Sequence, residues 1–132
     1  LYLTAHHWRL AVDRRLKGLG MSQASWVAVA AIARNDTPLS QSELAQELGV
    51  ENATLVPLIN RLVEQQLVQR VLTEQDKRKR LLVATEQGMA LYHQVKTVAD
   101  GLREEIMSVI SPEEQAQTRQ VLEKLLREVE RK

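Results

Sequence analysis

The sequence predicts a mainly α fold interrupted by one small β-hairpin, and three observations carry that prediction. Apolar residues recur by threes and fours along most of the chain, as in Leu55, Leu58, Ile59 and Leu62, the spacing of helices with one buried face. Between Leu67 and Thr85 that period gives way to two short, β-branched-rich runs. The core must be built from Leu, Val, Ile and Ala, because aromatics make up 3% of the 132 residues and there is no Phe. Such a palette favours helices.

Composition narrows the function classes. With 44% apolar and 27% charged residues the chain has the mixture of a soluble globular protein. Its length suits one domain, or a small head fused to an association segment. No apolar run reaches a membrane span and no signal-peptide pattern opens the chain, so no membrane partner is expected. The helical pattern is already under way at Leu1, and a short N-terminal piece is expected ahead of it. The absence of cysteine removes disulfides and thiolate chemistry, and agrees with a cytoplasmic protein. The net charge of +1 says little; where the charges sit says more.

A first helix carries Trp8, Val12, Leu16 and Leu19, and Gly18 and Gly20 end it. Ser22 caps a second through Trp26, Val29, Ala30 and Ala33, which stops near Asn35, Asp36 and Pro38. Ser40 and Glu43 have the spacing of a capping box, with Leu44, Ala45 and Leu48 buried behind them. A fourth helix runs from about Asn52. Leu67 to Leu72 and Leu81 to Thr85 read as the strands of a hairpin around Thr73 to Arg80. Thr85 opens a long helix whose stripe is Met89, Tyr92, Val95, Val98, Leu102, Ile106 and Val109. Ser111, Pro112 and Glu114 start the last helix, which presents Val121, Leu122, Leu125, Leu126 and Val129.

The stretch from Leu44 to Leu58 meets the demands of a helix-turn-helix. Ala45 is small where two helices cross, Gly49 can take the left-handed turn, Val50 plugs the angle, and Leu55 and Leu58 anchor the second helix. A plain helical hairpin would satisfy the same spacing. The hairpin that follows favours the first reading, because Lys77, Arg78, Lys79 and Arg80 place four consecutive cations at its tip. Cations on a narrow projection repel one another unless something anionic lies opposite, and a DNA minor groove is such a slot. Asp76 would hold Arg78 extended.

At these residues the sequence resembles the multiple antibiotic resistance regulator (MarR) family, with its SlyA-like branch one candidate. The resemblance is carried by Gln41-Ser42-Glu43-Leu44-Ala45, Leu62-Val63-Glu64, Asp76-Lys77-Arg78 and Thr85-Glu86-Gln87-Gly88. It implies a winged helix-turn-helix in which the first and last helices build a two-fold dimer. Residues 36–85 would then be the DNA-binding lobe, and 1–35 with 86–132 the dimerisation region, with Val121, Leu122, Leu125 and Val129 at the interface. It also implies a repressor or anti-silencer on a palindromic operator, with Arg78 in the minor groove. Three departures stand out. Pro57 falls where relatives often place a polar or basic base-reading residue, Gln66 where a Gly commonly ends the helix, and Ala84 where a Leu usually precedes the Thr. Pro57 also removes the helical bond to Ala53, so a kink is expected.

The inward stripe of the fourth helix leaves Asn52, Ala53, Thr54, Pro57, Asn60 and Arg61 for DNA, with Ser40, Gln41 and Ser42 for phosphate at the preceding helix start. Asp76, Lys77, Arg78, Lys79 and Arg80 complete the expected contact set. No nucleophile–base pair or phosphate loop appears, and the histidines His6, His7 and His93 have no carboxylate cluster, so neither an enzyme nor a metal or other cofactor is expected. By the resemblance, a small anionic aromatic effector would sit in a cleft lined by His7, Trp8, Arg15 and Trp26. Equally, both indoles would be core anchors and Arg15 the partner of an acid. A winged-helix module that docks proteins instead of DNA is the competing reading of the whole chain.

Overall fold

Ser22, Ser40 and Ser111 each begin a helix by accepting a hydrogen bond from the amide three residues on. They open α2 (Gln23–Arg34), α3 (Gln41–Leu48) and α6 (Pro112–Glu130). In α3 and α6 the box closes in return: Glu43 accepts from the Ser40 amide at 3.0 Å, and Glu114 from the Ser111 amide at 2.9 Å. The computed structural model describes residues 1–73 and 79–132. Its other elements are α1 (Tyr2–Arg15), β1 (Leu39–Ser40), α4 (Asn52–Glu64), β2 (Val68–Leu72), β3 (Arg80–Ala84) and α5 (Glu86–Met107). The described residues thus form six helices and three strands.

The chain falls into two compact units, 1–99 and 100–132. The first is built on a core of Val29, Ile32, Leu44, Leu55, Ile59, Leu62, Val68 and Leu82, each less than a tenth exposed. α2, α3 and α4 contribute one face each, and the sheet closes the cluster through Val68 and Leu82. The strand order is β1-β3-β2, all antiparallel. β1 is only two residues long, pairing Leu39 with Leu82 and Ser40 with Leu81. Nothing in its period marks so short a strand, and the sequence had predicted a two-stranded hairpin.

Other boundaries also shift, for local reasons. α1 stops at Arg15, and Leu19 lies in a single 3₁₀ turn, Lys17–Leu19, closed by Gly20 at φ 67°. Gly49, at φ 71°, ends α3 as expected, but Val50 is no buried plug: it is 40% exposed. The turn is closed by backbone instead, the Val50 amide donating to the Ala45 carbonyl at 3.0 Å. Val109 was expected on the α5 stripe, yet it lies beyond the helix end and is 82% exposed. α4 continues through Pro57 as one helical segment, Asn52–Glu64.

The junction from α4 to α5 explains the Thr-Glu-Gln-Gly run. Gln66 takes the left-handed conformation (φ 63°) in which the Leu67 amide reaches back to the Leu62 carbonyl at 3.0 Å. Thr85 leaves β3 to serve this turn. Its hydroxyl donates to the Gln66 carbonyl at 2.6 Å and accepts from the Gly88 amide at 2.9 Å. Its amide donates to the Leu67 carbonyl at 3.1 Å. Gly88 must be Gly, since a Cβ there would stand 2.1 Å from the Leu67 carbonyl oxygen.

The second unit takes in the end of α5 and all of α6. No residue of α6 is buried, and its apolar residues Val121, Leu122, Leu125, Leu126 and Val129 are all exposed.

Candidate nucleic-acid interface

α4 buries Leu55, Ile59 and Leu62, so the opposite side of the helix must face outward. Asn52, Ala53, Thr54, Pro57, Asn60 and Arg61, the expected contact residues of this helix, are all exposed there, together with Val56. Two of the amides are already engaged. Asn52 Nδ2 donates to Ser42 Oγ at 3.3 Å, and Asn60 Oδ1 accepts from Arg70 Nη2 at 2.6 Å.

Arg70 was not anticipated from the sequence. It stands on β2 two residues after the buried Val68, on the same side of the sheet, and pairs across to Leu82. That alternation was the available signal: a cation at an inward position must reach a polar partner, which here is Asn60.

Beside the start of α3, Ser40, Gln41, Ser42, Arg70, Lys79, Arg80 and Leu82 line an open concavity of about 490 Å³. Helix-start amides and three cations therefore share one wall, an arrangement suited to a phosphate. Arg80 is not at a hairpin tip as expected, because it belongs to β3 and pairs with Leu72. Lys79 lies 3.6 Å from Glu43, so the base of the hairpin is tied to the capping box of α3. The Ser40 backbone amide first, then the Ser40 hydroxyl and the charge on Lys79, hold the Glu43 carboxyl below its ordinary range. Asp76, Lys77 and Arg78 lie outside the described residues.

A second concavity, about 460 Å³, opens among α1, α2 and the α3–α4 turn. Of the residues expected at an effector cleft, Trp8 and Trp26 line this concavity and His7 and Arg15 do not. Its cations are Arg9 and Arg34. Gln23, Val27, Ala30 and Arg34 follow each other at helical spacing along α2, a pattern that could have marked this wall beforehand. Trp26 is mostly buried, and its indole N–H donates to Asp13 Oδ1 at 3.1 Å, as a core anchor would. Gln23 Nε2 is buried without a hydrogen-bond partner among the described residues. His6 stacks on Tyr2 and meets His7 edge-on. Among the described residues no helix is long and apolar enough to cross a membrane.

Comparison with known proteins agrees with this architecture. The model of the MarR family matches residues 19–79. The solved transcriptional regulator PA3341 is 36% identical with a TM-score of 0.94, the match covering 100% of this chain and 96% of that one. The MepR–DNA complex of Staphylococcus aureus is 22% identical with a TM-score of 0.81, covering 96% and 93%. CouR of Rhodococcus jostii, solved bound to p-coumaroyl-CoA, is 24% identical with a TM-score of 0.77, covering 95% and 87%. The last two speak to the fold alone. Matched by the family model across the helix-turn-helix, and along its whole length by a regulator of more than one-third identity, the chain belongs to the MarR family of winged-helix transcriptional regulators.

Proposed function

We propose that the protein is a dimer that binds a palindromic operator in double-stranded DNA and regulates transcription there, as a repressor or anti-silencer. One observation carries this reading: the exposed side of α4 and the cations Arg70, Lys79 and Arg80 lie beside the capped start of α3, where Gln41 and Ser42 line the same concavity. Phosphate contacts would fix the register there while α4 meets base edges. Residues 36–85 form the DNA-reading lobe in this scheme, and 1–35 with 86–132 pair the two copies. Asp76 and Arg78 act as the wing pair, with Arg78 in the minor groove. Gel shift on random duplex at low and moderate salt tests the reading. Affinity should fall steeply as salt displaces the phosphate contacts. Binding indifferent to salt, or none, would favour a module that docks proteins instead. Selection from a random duplex pool then yields the operator.

The indole-lined concavity supports a second role, the binding of a small anionic aromatic effector. Arg9 and Arg34 supply positive charge, Trp8 an aromatic face, and Gln23 Nε2 an unused donor. Its volume falls in the range of small-molecule sites. CouR, the relative bound to an aromatic thioester, makes the ligand class reasonable. The two Trp residues provide the readout. Titration with a hydroxybenzoate should shift or quench their emission and weaken operator binding in step. No response up to millimolar ligand would remove this role.

A further inference from the structure

The outward stripe of α4 is unusual for a helix that reads DNA. Ala53, Val56, Pro57 and Asn60 follow at the first, fourth, fifth and eighth positions of one helical face, and all are exposed. The middle of this face is apolar: Val56 is 39% exposed and Pro57 offers neither donor nor acceptor on its ring. Its flanking amides are partly spent, Asn52 on Ser42 and Asn60 on Arg70. Cations nonetheless adjoin it, Arg61 on the helix and Arg70 bonded to Asn60, so the apolar patch lies on a face that attracts polyanions. In the major groove the apolar feature of a base edge is the thymine 5-methyl group.

We infer that α4 reads thymine methyl groups through Ala53, Val56 and Pro57, and that the half-site is specified by these contacts rather than by bidentate hydrogen bonds to guanine. Arg70 is a positioning residue in this scheme. By holding Asn60 Oδ1 it leaves the Nδ2 donors to point away from the bond, where they suit an acceptor such as thymine O4 or purine N7. The inference rests on the proposed operator binding and names what that site recognises.

The first arm of the test needs no change to the protein. The duplex taken from pool selection is remade with uracil in place of thymine, one position at a time, which removes a methyl and keeps every groove donor and acceptor. Binding should weaken about fourfold for each methyl that α4 covers, the ratio expected for one buried methyl-sized group. Val56→Ser and Pro57→Ser proteins should each lose the penalty at the position their own residue covers and keep it at the others. Equal binding of thymine and uracil duplexes would overturn methyl reading while leaving operator binding intact. So would uracil penalties that stay unchanged at every position in both variants, since they would then come from duplex shape. Failure to bind any duplex would sink the operator proposal together with this one.

Discussion

Two residues at the α4–α5 junction have opposite backbone requirements, and each makes a measurable claim. Gly88 faces the Leu67 carbonyl, and a methyl group there would sit 2.1 Å from that oxygen. Neither partner is a flexible side-chain end, so the backbone must move. Gly88→Ala should cost about 2 kcal/mol or more in urea unfolding, the upper range for overpacking. A loss of a few tenths would mean that the junction yields easily. Gln66 is the reverse case, a side chain held at φ 63° where Gly would be unstrained. Gln66→Gly removes a penalty of about 1–2 kcal/mol and returns part of it as unfolded-chain entropy. The variant should gain about 0.5–1 kcal/mol by the same measurement.

At the scale of elements, α4 and the α3 start differ in how firmly they are specified. α4 loses the amide donor at Pro57, its sixth residue, and with it the bond to the Ala53 carbonyl. Because Pro57 is exposed, Pro57→Ala leaves the core alone. It should raise stability by roughly 2 kcal/mol, the interior penalty of Pro less its benefit in the unfolded chain. An unchanged thermal midpoint would show that the helix has absorbed the missing bond. The α3 start is held by Ser40, Glu43 and Lys79, which together lower the Glu43 pKa. A lowered value means the tie stabilises the fold above the ordinary carboxylate pKa and is lost as pH falls through the depressed one. The stability gap between parent and Glu43→Gln should therefore hold from neutral pH to about 4.5 and close only below it. A gap that closes at pH 6 would contradict the tie. Legibility in the sequence follows the same physics. Capping boxes, Gly49 and the stripes of α4 and α6 could be read because local spacing determines them. β1 could not, since two residues carry no period and their partners Leu81 and Leu82 lie far along the chain. The same holds for the Asn60–Arg70 bond and for Arg9 in the concavity, which arise from tertiary packing, whereas the spacing along α2 does mark Arg34. His7 and Arg15 lie off that wall, His7 because it is turned about 100° from Trp8 and Arg15 because it stands about two turns further along α1.

For the whole molecule, the exposed stripe of α6 is the main unmet demand. Leu122, Leu125 and Val129 are 39%, 50% and 68% exposed, and water penalises such surface by roughly 25 cal/mol per Å². Leu1, Tyr2 and Leu3 at the start of the chain are exposed as well. In the proposed dimer, pairing through the first and last helices would meet both demands. Leu125→Asp should give a monomer or unfolded protein in light scattering, and should abolish operator binding with it. A folded dimer of normal mass would refute this arrangement. The consequence for DNA reading is arithmetic, since two-fold symmetry repeats every half-site contact. Each thymine methyl covered by α4 then counts twice.

Ser40 shows how such a small lobe concentrates its obligations. It pairs in β1 with Leu81, closes the capping box with Glu43, and lines the concavity that would take a phosphate. A saturation library at this position should therefore be almost empty, because a replacement must accept the Glu43 amide bond while remaining small enough for the strand. Thr, and to a lesser degree Asn, meet those conditions. Neighbouring Gln41 shares only the last of these duties and should tolerate wider change. Adaptation to new operators in this lineage would then proceed through α4 and leave Ser40 untouched, a contrast that sequencing of surviving library members would record directly.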